Sequence, residues 1–169
     1  NLSEIISAPE TSFEMLTNVE FKFGNLIDEN GVEVELTDSN YTLYLKSRNQ
    51  GVRKQAFNLM YKKYSEFINT ISEMYIANAK AKVTTAKLRK YSSSLEQAVE
   101  NDDSSINVYN SLIEAIDENI SSNHEFLKLK KKMLNLSEMH MYDLYVNPCE
   151  QGKDEISFND AKQEVLASL

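Results

Sequence analysis

Hydrophobic positions along this chain follow two periods, and structure should change where the period changes. Residues 2–18 carry Leu2, Ile5, Ile6, Phe13 and Leu16 at helical spacing, with Pro9 in their midst. Proline is best tolerated at the start of a helix, so this stretch predicts two helical pieces broken near Ala8-Pro9. Phe21 and Phe23 then alternate with polar neighbours, and Val32-Glu33-Val34-Glu35-Leu36 alternates strictly after Asn30-Gly31. Asn and Gly both accept positive φ, so a small hairpin is expected at 25–36.

The remainder is helical. Thr37 or Asp38 can cap a helix carrying Tyr41, Leu43, Tyr44 and Leu45, and Asn49 can cap the next. That next helix has Val52, Ala56, Met60, Tyr64, Phe67, Ile71, Met74 and Tyr75 in steps of three and four. It persists to about Lys87, a rod about 50 Å long. After a break at Tyr91 to Ser94 comes a short helix at Leu95 to Val99. Ser104 or Ser105 can cap a second long helix, striped by Ile106, Tyr109, Ile113, Ile116, Ile120, His124, Leu127 and Leu134. Lys128, Lys130, Lys131 and Lys132 close it, where positive charge suits the helix C-terminus. Met139 to Gln151 is irregular, and Phe158 to Leu169 is a last helix that runs off the end of the chain without a cap. The fold class is therefore mostly α, with long antiparallel helices and one small β-hairpin near residues 25–36.

Composition sharpens this picture. Four Gly and two Pro are too few for the turns of a sandwich or barrel. The single cysteine, Cys149, cannot form an internal disulfide, which points to a reducing, cytoplasmic setting. No run approaches the ~18 apolar residues that a membrane span needs. The first residues, Asn1-Leu2-Ser3-Glu4, do not form a basic signal stretch. A start on Asn1 rather than Met, and a last helix without a cap, suggest a length set by a cut. The net charge of −8 is uneven, because residues 51–100 carry nine basic and four acidic side chains. Those basic residues alternate with apolar ones at helical spacing, so they read as a solvated helix face rather than a nucleic-acid surface.

Candidate chemistry is sparse. His124-Glu125-Phe126-Leu127-Lys128 approaches the His-Glu-x-x-His pattern of zinc peptidases, but Lys128 stands where the second histidine must be. An ammonium there repels a metal, and His124 lies on the apolar stripe, so a packed or half-buried histidine is expected. His140, Asp143 and Cys149 are close in sequence, with spacing that matches no common zinc pattern. Cys149 lacks a local base other than His140. Glu33 and Glu35 share one strand face and read as solvent-facing rather than as an acid–base pair. Lysines 128–132 could attract phosphate, although a dipole-matched helix end explains them as well. Nine tyrosines, Tyr41, Tyr44, Tyr61, Tyr64, Tyr75, Tyr142 and Tyr145 among them, suit packing or the border of a wet channel.

Several phrases in order resemble one family. Leu36-Thr37-Asp38-Ser39-Asn40-Tyr41 and Leu45 to Phe57 resemble the N-terminal region of oligoendopeptidase F, a zinc peptidase related to thimet oligopeptidase. Ala86 to Glu96, Val108 to Ala115 and Met141-Tyr142-Asp143-Leu144-Tyr145-Val146 continue the resemblance in register. The departures are the polar stretch Asn101 to Ser105, Lys130 in place of an expected Arg, and Asn147 before Pro148. The resemblance implies a helical enzyme with a deep channel and a zinc site later in the chain. It implies residues 1–100 as the N-terminal lobe, and 101–169 as the start of the following helical peptidase region, truncated before the zinc motif. No catalytic, cofactor-binding or metal residue is carried over to this stretch, which is expected to be inactive alone. Zinc, oligopeptide substrates and the remaining C-terminal catalytic lobe belong to the parent, with no nucleic acid or membrane as partner. The alternative is a self-standing helical protein-interaction module.

Overall fold

The computed structural model describes residues 2–149 and 157–168. The elements run α1 (Leu2–Glu14), a π-helical turn (Met15–Glu20), β1 (Asn25–Ile27), β2 (Glu33–Glu35), α2 (Asp38–Leu45), α3 (Gln50–Glu66), α4 (Ile68–Leu88), α5 (Ser94–Asn101), α6 (Ile106–Met133), a 3-10 turn (Met141–Asp143) and α7 (Phe158–Ala167). The mostly helical class and the one small hairpin are as the pattern predicted. The limits of the irregular stretch at residues 150 and 151, and the last helical residue at 169, lie outside the described residues.

Three local expectations are corrected. α1 does not break at Pro9 but runs through it. A proline inside a helix removes one backbone hydrogen bond, and packing of α1 along α4 offsets that loss. The irregularity falls later, where the helix widens so that the Phe21 N–H reaches the Leu16 carbonyl at 3.1 Å. Thr17 Oγ1 donates back to the Phe13 carbonyl at 2.9 Å in the same turn.

The hairpin loop is not a two-residue Asn-Gly turn. The Gly31 N–H bonds the Asp28 carbonyl at 3.1 Å, and Asp28 N–H bonds the Val32 carbonyl at 2.9 Å. Gly31 takes φ +80°, while Asn30 is not in the left-handed region. Asp28 Oδ1 accepts from the N–H groups of Asn30 and Val32, both at 2.8 Å, so the aspartate rather than Asn30 organises the loop. The register pairs Leu26 with Val34, and it points Glu33 and Glu35 to solvent.

The predicted 35-residue rod is two helices, broken at Phe67 (φ −112°, ψ 15°). The Phe67 N–H bonds the Tyr64 carbonyl three residues back, a 3-10 step that tightens the turn. The Phe67 ring packs 5.1 Å from Phe21. The bend brings Ile71 and Met74 of α4 onto the core of Leu16, Phe21, Phe23, Leu26, Leu36, Val52, Ala56 and Met60.

The low glycine count has a structural counterpart. α4, α5 and α6 each end on a non-glycine residue in the left-handed region: Lys90 (φ 67°), Asp103 (φ 49°) and Asn135 (φ 52°). In each case the next N–H bonds a carbonyl five residues back, as with Tyr91 to Ala86 at 3.0 Å. Three caps at the other ends follow the sequence signals, Thr37 for α2, Asn49 for α3 and Ser105 for α6, and Ser93 caps α5 in the same way.

α6 stands apart. Residues 107–126 are exposed throughout, including Tyr109, Ile113, Ile116 and Ile120 of its stripe. Its start packs on α5, and its finish is tied to the 139–146 segment through Lys130 and the Leu144 carbonyl.

Because a side chain in the left-handed region is strained, Lys90→Gly is expected to raise stability by ~0.5–1 kcal/mol. Lys90→Ala should give no such gain, and urea denaturation of the two variants checks this.

Candidate functional site

The sequence-predicted candidates do not converge. His124 is exposed rather than packed. His140 stacks on Tyr142 at 4.9 Å and 26°, with its Nε2 3.7 Å from Glu138 Oε2. Cys149 is exposed, and its carbonyl accepts from Arg48 Nη2. Glu33 Oε1 accepts from Asn25 Nδ2 at 3.0 Å on the solvent side of the hairpin. Among the described residues, no three His, Cys, Asp or Glu side chains group together as a metal would require. The described residues thus offer no donor set that would hold a zinc ion.

What does converge is a buried ionic cluster. Arg53 is 1% exposed on α3 and Asp143 is 0% exposed in the 3-10 turn. Arg53 donates from Nε at 2.9 Å and from Nη2 at 2.6 Å, both to Asp143 Oδ1. Its Nη1 donates to the carbonyls of Ser47 at 2.8 Å and Arg48 at 3.1 Å, which ties in the α2–α3 connection. Asp143 Oδ2 accepts from Gln50 Nε2 at 3.2 Å and from the His140 backbone N–H at 2.9 Å. Burying an unpaired charge is costly, so this near-complete pairing is the condition under which both ions leave water.

Lys130 joins the cluster. It is buried at the end of α6, and its Nζ donates to the Leu144 carbonyl. Burial, and then the nearby Arg53 charge, hold its ammonium below the usual lysine range, while Asp143 opposes them. The dipole-matched position at the end of α6 holds for Lys130, Lys131 and Lys132, and Lys130 has a part-buried hydrogen bond to the Leu144 carbonyl besides. The pattern did hold a signal for Arg53. It lies three residues before Ala56 and seven before Met60, on the buried face of α3. Lys130 and Lys131 both fall in phase with Leu127 and Leu134, unlike Lys128 and Lys132, but spacing does not say which of the two turns inward.

An aromatic row runs beside the cluster. Tyr61 and Phe57 lie 4.3 Å apart on α3, Phe57 and Tyr142 are 5.7 Å apart, and Tyr142 stacks on His140. Tyr41 is half-buried nearby, and burial, with Tyr61 and Tyr145 close, pushes its phenol up to about 12. Packing accounts for Tyr41, Tyr44, Tyr64 and Tyr142, whereas Tyr61, Tyr75 and Tyr145 present large exposed faces.

The element order and the buried cluster describe a helical segment joined by an ionic lock. A family model described as peptidase family M3 matches residues 43–166, and the chain belongs to that family. Over 167 residues the chain is 32% identical to oligopeptidase PepF of Bacillus subtilis, covering 99% of this chain and 25% of that protein. It is 30% identical over 167 residues to an oligoendopeptidase F homolog of Lactococcus lactis, covering 97% of this chain and 28% of that protein. The crystal structure of oligoendopeptidase-F from Enterococcus faecium superposes with a TM-score of 0.85 at 27% identity, over 98% of this chain and 34% of that one. The chain thus spans about a quarter of the length of the curated relatives it matches. Among the described residues no helix is long and apolar enough to cross a membrane.

Removing one member of a buried pair strands the other, so Arg53→Met is expected to cost about 3–5 kcal/mol. Arg53→Met with Asp143→Leu should recover at least ~1 kcal/mol of that loss. A urea-denaturation double-mutant cycle checks this, and strictly additive losses would show that the pair is not coupled.

Proposed function

We propose that this chain is the N-terminal part of an oligoendopeptidase F-type zinc metalloendopeptidase and forms part of the wall of its peptide channel. The carrying observation is the likeness to oligoendopeptidase F over nearly the whole chain, joined to an α6 whose apolar stripe is left uncovered. In this reading residues 1–100 belong to the N-terminal lobe, and residues 101–169 begin the helical region that leads toward the catalytic lobe. The substrates of the complete enzyme are short peptides. The zinc and the groups that activate water come from the remaining lobe, and this chain supplies shape.

The exposed stripe of α6 supports the reading. Tyr109, Ile113, Ile116 and Ile120 recur every three or four residues on one side of a helix about 42 Å long. Soluble monomers seldom leave so long an apolar face in water, which favours a segment built to pack against more protein over a self-standing module. A lone, exposed Cys149 suits a reducing compartment, and we place the protein in the cytoplasm.

The purified 169-residue chain is expected to leave an internally quenched peptide uncut and to keep no stoichiometric zinc after dialysis. It should also bind a hydrophobic dye. Co-expression with the Bacillus subtilis relative lacking its matching quarter should restore cleavage. Hydrolysis by the chain alone, or one retained zinc per chain, would contradict the reading.

A further inference from the structure

An open groove of about 460 Å³ runs between the C-terminal half of α6 and residues 139–144. Leu127, Met139, Met141 and Leu144 supply an apolar lining, and His124, Lys128, Lys131 and His140 supply groups able to carry positive charge. The lining includes no acid. Next to the lining, Glu138 lies 3.7 Å from His140 Nε2, and Glu125 follows His124 on α6. Among the described residues, no carboxylate pairs with Lys128 or Lys131.

The walls are fixed by the buried cluster. Leu144 is tied to α6 through its carbonyl and Lys130 Nζ, and Asp143 is held by Arg53 and Gln50. A groove held this way loses little conformational freedom when a ligand enters.

We propose that this groove takes the C-terminal end of an oligopeptide. The terminal carboxylate pairs with Lys128 and Lys131, and the last apolar side chain lies on the methionine and leucine surface. The proposal rests on the channel-wall reading above, and it names a part of the substrate that the wall holds. The occupant follows from the chemistry. The last residue of a peptide carries a carboxylate and an apolar side chain on the same carbon, so it meets both halves of the lining at once. An internal Asp or Glu has the charge without the apolar group. A nucleic acid offers phosphates and flat bases, which bind aromatic platforms rather than a floor of Met and Leu.

The test is isothermal titration calorimetry of the 169-residue chain with a short, otherwise neutral peptide ending in Leu, as free acid and as C-terminal amide. The acid is expected to bind about tenfold more tightly than the amide, with the advantage shrinking in added salt. Lys128→Gln with Lys131→Gln should abolish the difference while leaving the far-UV circular dichroism unchanged. Equal affinity for acid and amide overturns the proposal, as does binding of neither form. Discrimination that survives the double substitution overturns it as well. Tighter binding of polyuridylate than of the acid also overturns it, and assigns the groove to nucleic acid. The channel-wall reading is judged separately, on cleavage restored by the co-expressed relative.

Discussion

A guanidinium and a carboxylate removed from water oblige one another, and the distal half of this structure depends on that obligation. Arg53 and Asp143 lie ninety residues apart in sequence, and each is almost fully buried. Neither ion would remain inside without the other, because an uncompensated buried charge costs more than most packing contacts return. Their pairing decides where the chain after α6 goes. The 3-10 turn is drawn onto the first turns of α3, the carbonyls of Ser47 and Arg48 are fixed by the same guanidinium, and His140 is oriented by its N–H to Asp143. Lys130 then ties the end of α6 to Leu144. The aromatic row from Tyr61 to His140 and the basic groove beside it both rest on this arrangement.

The proximal half is held differently. Its core is apolar, with Leu26 and Leu36 of the hairpin region packed among Val52, Ala56 and Met60 of α3 and edge-on aromatic contacts at Phe21. Such a core is non-directional and tolerates the π turn and the kink at Phe67. The ionic cluster is directional and fixes one register between elements far apart in sequence. The two halves thus divide the work: apolar burial assembles α1 to α4 around the hairpin, and a buried pair fixes the position of the 139–146 segment.

Much of the fold was legible because its causes are local. Caps at Thr37, Asn49 and Ser105 are short-range hydrogen bonds that spacing reveals, and the strict alternation around Val34 marks a strand with one face on the core. The misread features have non-local causes. Pro9 is carried by α4, which a single helix pattern does not show. The stripe through Phe67 keeps its period while the backbone turns, so periodicity alone joined two helices. Lys130 shares its phase with Lys131, and a partner at Leu144 is what turns Lys130 inward. Arg53 could have been found, since a charge in phase with Ala56 and Met60 on a buried face calls for a counter-ion. The stripe on α6 was legible as apolar from its spacing, but its exposure among the described residues depends on packing that spacing does not show.

The most direct measurement of the central claim is native-state amide hydrogen exchange on the chain with and without Arg53→Met. If the pair positions the distal segment, the N–H groups of His140, Asp143 and Leu144 lose protection in the variant. Over the same interval Leu36 and Met60, in the apolar core, keep theirs. Unchanged protection at residues 140–144, or an equal loss throughout the core, would contradict the claim.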